Sequence, residues 1–108
     1  MTFEDHVRAA LDSLPAEIAA ALRNIAVVVR DENADDPDLL GLYEGVPLPE
    51  RGNDTGALPD TITIYRCPLE AEFPDPRELQ REIRITVLHE IGHYFGLDEE
   101  RLAELGYE

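Results

Sequence analysis

The N-terminal part of the chain has apolar residues at helical spacing, at Phe3, Val7, Leu11 and Leu14. This spacing predicts an amphipathic helix over residues 3–13, with Thr2 as a candidate N-cap. Pro15 fits the first turn of a second short helix, which we expect to reach about Arg23. The chain is therefore predicted to begin with two helices.

Two short segments have strand patterns. Residues 25–29 are continuously apolar and mostly β-branched, which predicts a buried strand. Residues 61–65 alternate between polar and apolar positions and predict another strand. Residues 39–46 are interpreted as a short irregular strand at the edge of the sheet. The segments 31–38 and 47–59 are rich in polar residues, proline or glycine and predict loops.

The strongest helix signal begins at Asp75, a good N-cap that is followed by Pro76 at the first helical position. Apolar residues then recur every four positions as a core-facing ladder, with two more beside it: Leu79, Ile83, Val87 and Ile91, then Leu88 and Phe95. The helix should run to about Phe95, and Gly96 then suits the left-handed position past its end. A last short helix is expected over residues 99–105.

The length of 108 residues predicts one small domain over residues 1–108, and a composition of 44% apolar and 6% aromatic residues suits a globular protein. Acidic residues outnumber basic ones by 24 to 9, giving a net charge of −15. This charge disfavours nucleic acid and anionic membranes as partners; it can favour cationic substrates, but more often serves solubility. One cysteine, Cys67, excludes an internal disulfide. Without a recognisable targeting signal or membrane-length apolar stretch, we expect a cytoplasmic protein.

The predicted long helix contains the sequence His-Glu-Ile-Gly-His at residues 89–93. His89 and His93 are one helical turn apart, so their Cβ atoms should lie roughly 5–6 Å from each other on one face. Two imidazole nitrogens so placed can bind one Zn²⁺. Glu90 would then lie beside the metal, where a general base takes a proton from water. The alternative is that both histidines are ordinary helix residues; His6 has no such neighbours and is expected at the surface.

A catalytic zinc needs a third protein ligand. The metzincin pattern places it six residues after the second histidine, at Glu99, and Gly96 would let the chain reverse toward the metal. Asp98 is the rival ligand, although it is also a natural N-cap for the last helix. These two roles of Asp98 compete with each other. Glu100 and Glu104 are weaker candidates.

Beyond the motif, the sequence resembles the short bacterial zincin-like metallopeptidases, which have a HExxHxxGxxD-type signature. The matching positions extend along most of the chain, within residues 40–48, 58–68, 86–93 and 100–107. The resemblance implies a minimal α+β zincin-like fold, in which a small mixed sheet packs against the active-site helix. It also implies zinc bound by His89 and His93, with Glu90 as catalytic base. The family's third-ligand position, usually Asp, falls on Glu99.

We therefore expect a zinc-dependent metallopeptidase that acts on peptide or protein substrates. The alternative is a non-catalytic binding or regulatory protein that keeps a zincin fold with an incomplete or unoccupied metal site. A purely structural metal site is disfavoured, because it has no need of a base at Glu90.

Several further residues are candidates for secondary roles. A substrate peptide can pair with an edge strand, which residues 61–65 or 39–46 would supply. A tyrosine hydroxyl can stabilise the oxyanion, and three are available: Tyr43, Tyr65 and Tyr94. The Cys67 thiolate can occupy the open zinc position, although an inert buried thiol is the alternative.

Overall fold

In a computed structural model, which describes residues 2–22, 25–45, 60–104 and 106, the chain forms helices and a sheet. The elements in chain order are α1 (Phe3–Asp12), α2 (Ala16–Ala21), β1 (Ile25–Arg30), β2 (Gly41–Glu44), β3 (Asp60–Tyr65), α3 (Arg66–Glu72), α4 (Pro76–Tyr94) and α5 (Glu99–Glu104). The predicted loop at 47–59 and the predicted helix ends at Arg23 and Leu105 lie outside the described residues. Within the described ranges, no helix is both long and apolar enough to cross a membrane.

β3 is the central strand of a small mixed sheet. β1 pairs with it in parallel and β2 pairs with it antiparallel, in the order β1-β3-β2. The predicted α+β class with a mixed sheet is thus confirmed. The prediction that residues 61–65 offer a free edge is wrong, because β3 is paired on both sides. β1 was expected to be buried but is largely half-buried, since it lies at one edge of the sheet.

The core lies between the sheet, α1 and one face of α4. Ile62 and Ile64 of β3 are completely buried, as are Ile83 and Val87 of α4. The predicted α4 ladder therefore faces the core, with Leu79 and Phe95 packed at its margin and the half-buried Leu88 outside it. His6 was expected at the surface. It lies in α1, which packs against α4, and the Nδ1 atom of His6 is buried.

The helix starts follow the predicted capping chemistry. The Thr2 hydroxyl accepts a hydrogen bond from the N–H of Asp5, whose carboxylate accepts one from the N–H of Thr2. The Asp75 carboxylate accepts from the N–H of Glu78 at the start of α4. These bonds satisfy amide groups that have no partner within the helix.

The short helix α3 has no clear sequence signal, and tertiary contacts fix its start. The N–H of Cys67 donates to the carbonyl of Asp31 at 2.9 Å. The Arg66 guanidinium lies 2.7 Å from the Asp31 carboxylate and 2.8 Å from that of Glu70. Since Asp31 follows β1 directly, these contacts join the start of α3 to the end of β1.

A tight turn at Gly96 reverses the chain after α4. Gly96 has φ +83°, which confirms the predicted left-handed conformation. Its N–H donates to the carbonyl of His93, and the N–H of Leu97 donates to that of Gly92, both at 3.0 Å. This pair of bonds is the Schellman arrangement that ends a helix. As a result, α5 begins beside the last turns of α4.

Leu102 packs α5 directly onto α4 at Gly92. Leu102 is completely buried, and a Cβ atom added at Gly92 would lie only 2.2 Å from its Cδ2 atom. The start of α5 is closed by Asp98, whose carboxylate accepts from the N–H of Arg101 at 2.8 Å. The absence of a side chain at Gly92 therefore permits the close approach of the two helices.

We predict that Gly92→Ala destabilises the protein by about 1–2 kcal/mol. Alanine in a helix interior normally gains up to about 1 kcal/mol over glycine. Here the overlap with Leu102 should outweigh that gain, because overpacking costs about 1–3 kcal/mol. The measurement is the free energy of unfolding in urea.

The double variant Gly92→Ala/Leu102→Ala provides the control. Once Leu102 is shortened, the overlap disappears and the alanine at position 92 should no longer destabilise. The two single variants each lose unfolding free energy, and the sum of these two losses should therefore exceed the loss in the double variant. Strict additivity, or a stabilising Gly92→Ala, would contradict the proposed overlap.

Candidate metal centre

His89 and His93 lie side by side on the last turns of α4. Their Nε2 atoms are 3.1 Å apart, and their ring centroids are separated by 4.8 Å. The side chains are 18% and 28% exposed, so both rings are supported by the fold yet reach solvent. The prediction that they share one helix face is confirmed, and their ring nitrogens converge on one point.

Glu99, at the start of α5, reaches the same point. Its Oε1 atom lies 2.9 Å from Nε2 of His93 and 3.3 Å from Nε2 of His89. Donors bound tetrahedrally to one zinc-sized ion at 2.0–2.1 Å are about 3.3 Å apart. The two nitrogens and the oxygen therefore have the spacing and the chemistry to hold a small divalent ion.

Asp98, the rival of Glu99, is placed differently. Its carboxylate caps α5 through the N–H of Arg101, as the competing interpretation of this residue required. Of the weaker candidates, Glu104 pairs with the Arg101 guanidinium at 2.9 Å, and Glu100 is exposed. Glu99 is thus the carboxylate of this segment that the structure brings to the histidines.

Glu90 is a second, buried carboxylate beside the histidine pair. It is only 6% exposed, and its ligand atom lies within 4.8 Å of those of His89 and His93. Burial raises the pKa of the Glu90 carboxyl, against the lowering by the two histidines and by a hydrogen bond from the Tyr43 backbone N–H. The carboxylate is therefore close to the candidate metal position and poised to take up a proton.

Strand β2 supplies the wall of the site that faces Glu90. The carbonyl of Leu40, just before β2, accepts from the N–H of Tyr65 in β3. Since backbone groups alternate along a strand, the N–H of Tyr43 points away from β3 and toward α4. Its bond to Glu90 thus ties the buried carboxylate to the sheet. A backbone donor of this kind leaves no sequence signal.

A cleft of about 580 Å³ lies over this centre, between β2 and the turn that precedes α5. Tyr43 lines it, and its hydroxyl donates to the Asp60 carboxylate. The other two tyrosine candidates do not line it: the Tyr65 hydroxyl accepts from Asn33, and Tyr94 is buried. Cys67 also lies outside the cleft lining. Of the three tyrosine candidates, Tyr43 is therefore the one that lines the cleft, but its single hydroxyl proton is already donated to Asp60.

Sequence reasoning missed the contact that positions Glu99. In the sequence, Leu102 is simply one apolar residue of a predicted short helix, and Gly92 occupies a variable position within the motif. Their spacing of ten residues has no helical meaning on its own. The predicted chain reversal at Gly96 is the signal that could have indicated this contact between Leu102 and Gly92, because it folds the following helix back onto α4.

Comparison with known proteins agrees with this geometry. Residues 22–107 match the model of the family described as zincin-like metallopeptidase. A comparison with curated proteins finds no match. The matched range includes β1, β2 and β3, the histidine pair, Glu90 and Glu99. The chain belongs to the zincin-like metallopeptidase family.

Proposed function

We propose that the protein is a zinc-dependent peptidase whose metal is bound by His89, His93 and Glu99. The observation that carries this proposal is the set of 2.9, 3.1 and 3.3 Å distances among their donor atoms. Two imidazoles and one carboxylate are a donor set that catalytic zinc sites use, with a fourth position left open. The cleft over the three side chains supports an open position.

Zinc in this site would supply Lewis-acid chemistry, since it makes water more acidic and polarises a carbonyl oxygen. Glu90 is assigned as the general base, and its carboxylate is oriented by the Tyr43 N–H. It accepts the proton of the attacking water and then donates it to the leaving amine. Its position beside the histidine pair, within 4.8 Å of their ligand atoms, supports this role.

The free side of β2 is the proposed docking edge for the peptide, apart from the Tyr43 N–H, which is already bonded to Glu90. Among the described residues, β2 pairs with β3 alone, and it lines the cleft next to the histidines. An extended peptide can add to such an edge through main-chain hydrogen bonds. This arrangement would bring a peptide carbonyl toward the metal without a second subdomain. The substrate is therefore proposed to be an extended peptide segment.

We predict that Glu90→Gln lowers peptide hydrolysis by about 10²- to 10⁴-fold while zinc remains bound. Glutamine keeps the shape of the side chain but cannot accept the proton. Zinc per chain is measured by mass spectrometry, and hydrolysis is followed on a broad peptide library. Loss of zinc would identify Glu90 as a ligand instead. A zinc-loaded wild type that cleaves no peptide would favour the non-catalytic alternative.

A second pair of variants tests the third ligand. Glu99→Ala should weaken zinc binding by about 100-fold or more, because one of three protein donors is lost. Asp98→Asn is the matched control: asparagine caps a helix as well as aspartate, so zinc affinity should be nearly unchanged. Affinity is measured by competition with a chelator of known strength. Weaker binding in Asp98→Asn but not in Glu99→Ala would reverse the assignment.

A further inference from the structure

A second cavity opens beside the catalytic cleft, between the segment that enters β2 and the middle turns of α4. Its volume is about 310 Å³. It shares part of its lining with the catalytic cleft, namely Leu39, Gly41, His89 and Glu90. A side chain in this cavity would therefore belong to a peptide whose backbone passes the candidate metal centre.

The walls of this cavity are mainly apolar. Leu39 and Leu40 line it from the strand side, and Ile85 lines it from α4. Leu39 and Ile85 are half-buried and lie outside the core cluster, so they offer apolar surface to a ligand. A hydrocarbon chain is the chemistry that fits these walls.

The rim of the same cavity is acidic. Asp36 and Asp38 lie on the strand side and Glu82 lies on α4, one turn before Ile85. Throughout the described part of the chain, no arginine forms an ion pair with these three carboxylates. With a net charge of −15 on the whole protein, the rim offers negative charge without a positive partner.

The acidic segment is anchored to the sheet. The Asn33 side-chain oxygen accepts from the N–H groups of Asp35 and Asp36, at 2.8 and 2.9 Å. The Asn33 amide nitrogen donates to the hydroxyl of Tyr65, which is buried at the end of β3. The position of the rim relative to the cleft is thus set by the fold.

We propose that this cavity binds the side chain of a substrate arginine or lysine, so that the enzyme cleaves peptides beside basic residues. The inference rests on the proposed peptidase function. The aliphatic stem contacts Leu39 and Ile85, and the cationic end reaches the carboxylates at the rim. A neutral side chain of the same shape gains only the apolar contact, and an acidic one is repelled. Charge complementarity thus favours a basic side chain in this cavity over a neutral or an acidic one.

The first experiment measures cleavage specificity. Zinc-loaded wild type is incubated with a peptide library, and peptides with arginine are compared with those with citrulline, its neutral analogue. We expect basic residues to be enriched at one position next to the cleaved bond. In the triple variant Asp36→Asn/Asp38→Asn/Glu82→Gln, the preference for arginine over citrulline should fall about 5- to 10-fold. Cleavage of the citrulline peptides should fall far less than cleavage of the arginine peptides.

Asp35→Asn is the matched control, because Asp35 lies in the same segment but does not line the cavity. It should keep the full arginine preference. Cleavage without enrichment of basic residues would overturn the proposed specificity while leaving the peptidase function intact. An arginine preference that survives in the triple variant would also overturn it.

The second experiment requires neither zinc nor turnover. N-acetyl-arginine amide and N-acetyl-citrulline amide are titrated into the metal-free protein, and the amide signals of Leu39 and Ile85 are followed by NMR. The arginine compound should bind several-fold more tightly, and 0.5 M salt should reduce the difference. If this holds while wild type cleaves nothing, the cavity is supported and the peptidase function fails. Equal binding of both compounds would overturn the cavity assignment.

Discussion

The packing of Leu102 against Gly92 determines where Glu99 lies. Helix α5 has only six residues, too few to be stable by helix propensity alone. It is held by a completely buried leucine and by the hydrogen-bonded turn at Gly96. Glu99 precedes Leu102 by one helical turn, so any shift of α5 moves its carboxylate from the histidines. Because metal coordination tolerates only about 0.2 Å, an apolar contact would control the proposed ligand Glu99.

The two carboxylates beside the histidine pair have different surroundings and therefore suit different tasks. Glu99 is 70% exposed and approaches from a turn, which leaves its oxygen able to meet an ion from the solvent side. Glu90 is buried between α4 and β2, where burial raises its pKa and the Tyr43 N–H orients it. The proposed ligand and the proposed base thus differ in burial although both are glutamates.

Sequence could predict the parts of this protein that depend on local chemistry. The cap at Asp75, the apolar ladder of α4 and the reversal at Gly96 each involve residues only a few positions apart. The approach of Glu99 to the histidines follows from that reversal, and its role as ligand stays a prediction. By contrast, β1 pairs with β3 across a long connection, so the sequence could not predict that β3 is the central strand. Helix α3 likewise depends on Asp31, which is distant in sequence.

The proposed metal ligands and the residues of the proposed specificity cavity also differ in how far apart they lie in the sequence. All the proposed metal ligands and the proposed base lie within residues 89–99, so α4, the turn and α5 supply these side chains, and β2 adds the Tyr43 N–H that orients Glu90. The proposed basic-residue cavity instead combines α4 with the segment before β2, which Asn33 anchors to Tyr65. Substitutions at Asp36 or Asp38 therefore leave the α4–α5 contact untouched. Under these proposals, substitutions in the segment before β2 would change the side chain that is selected without moving His89, His93 or Glu99.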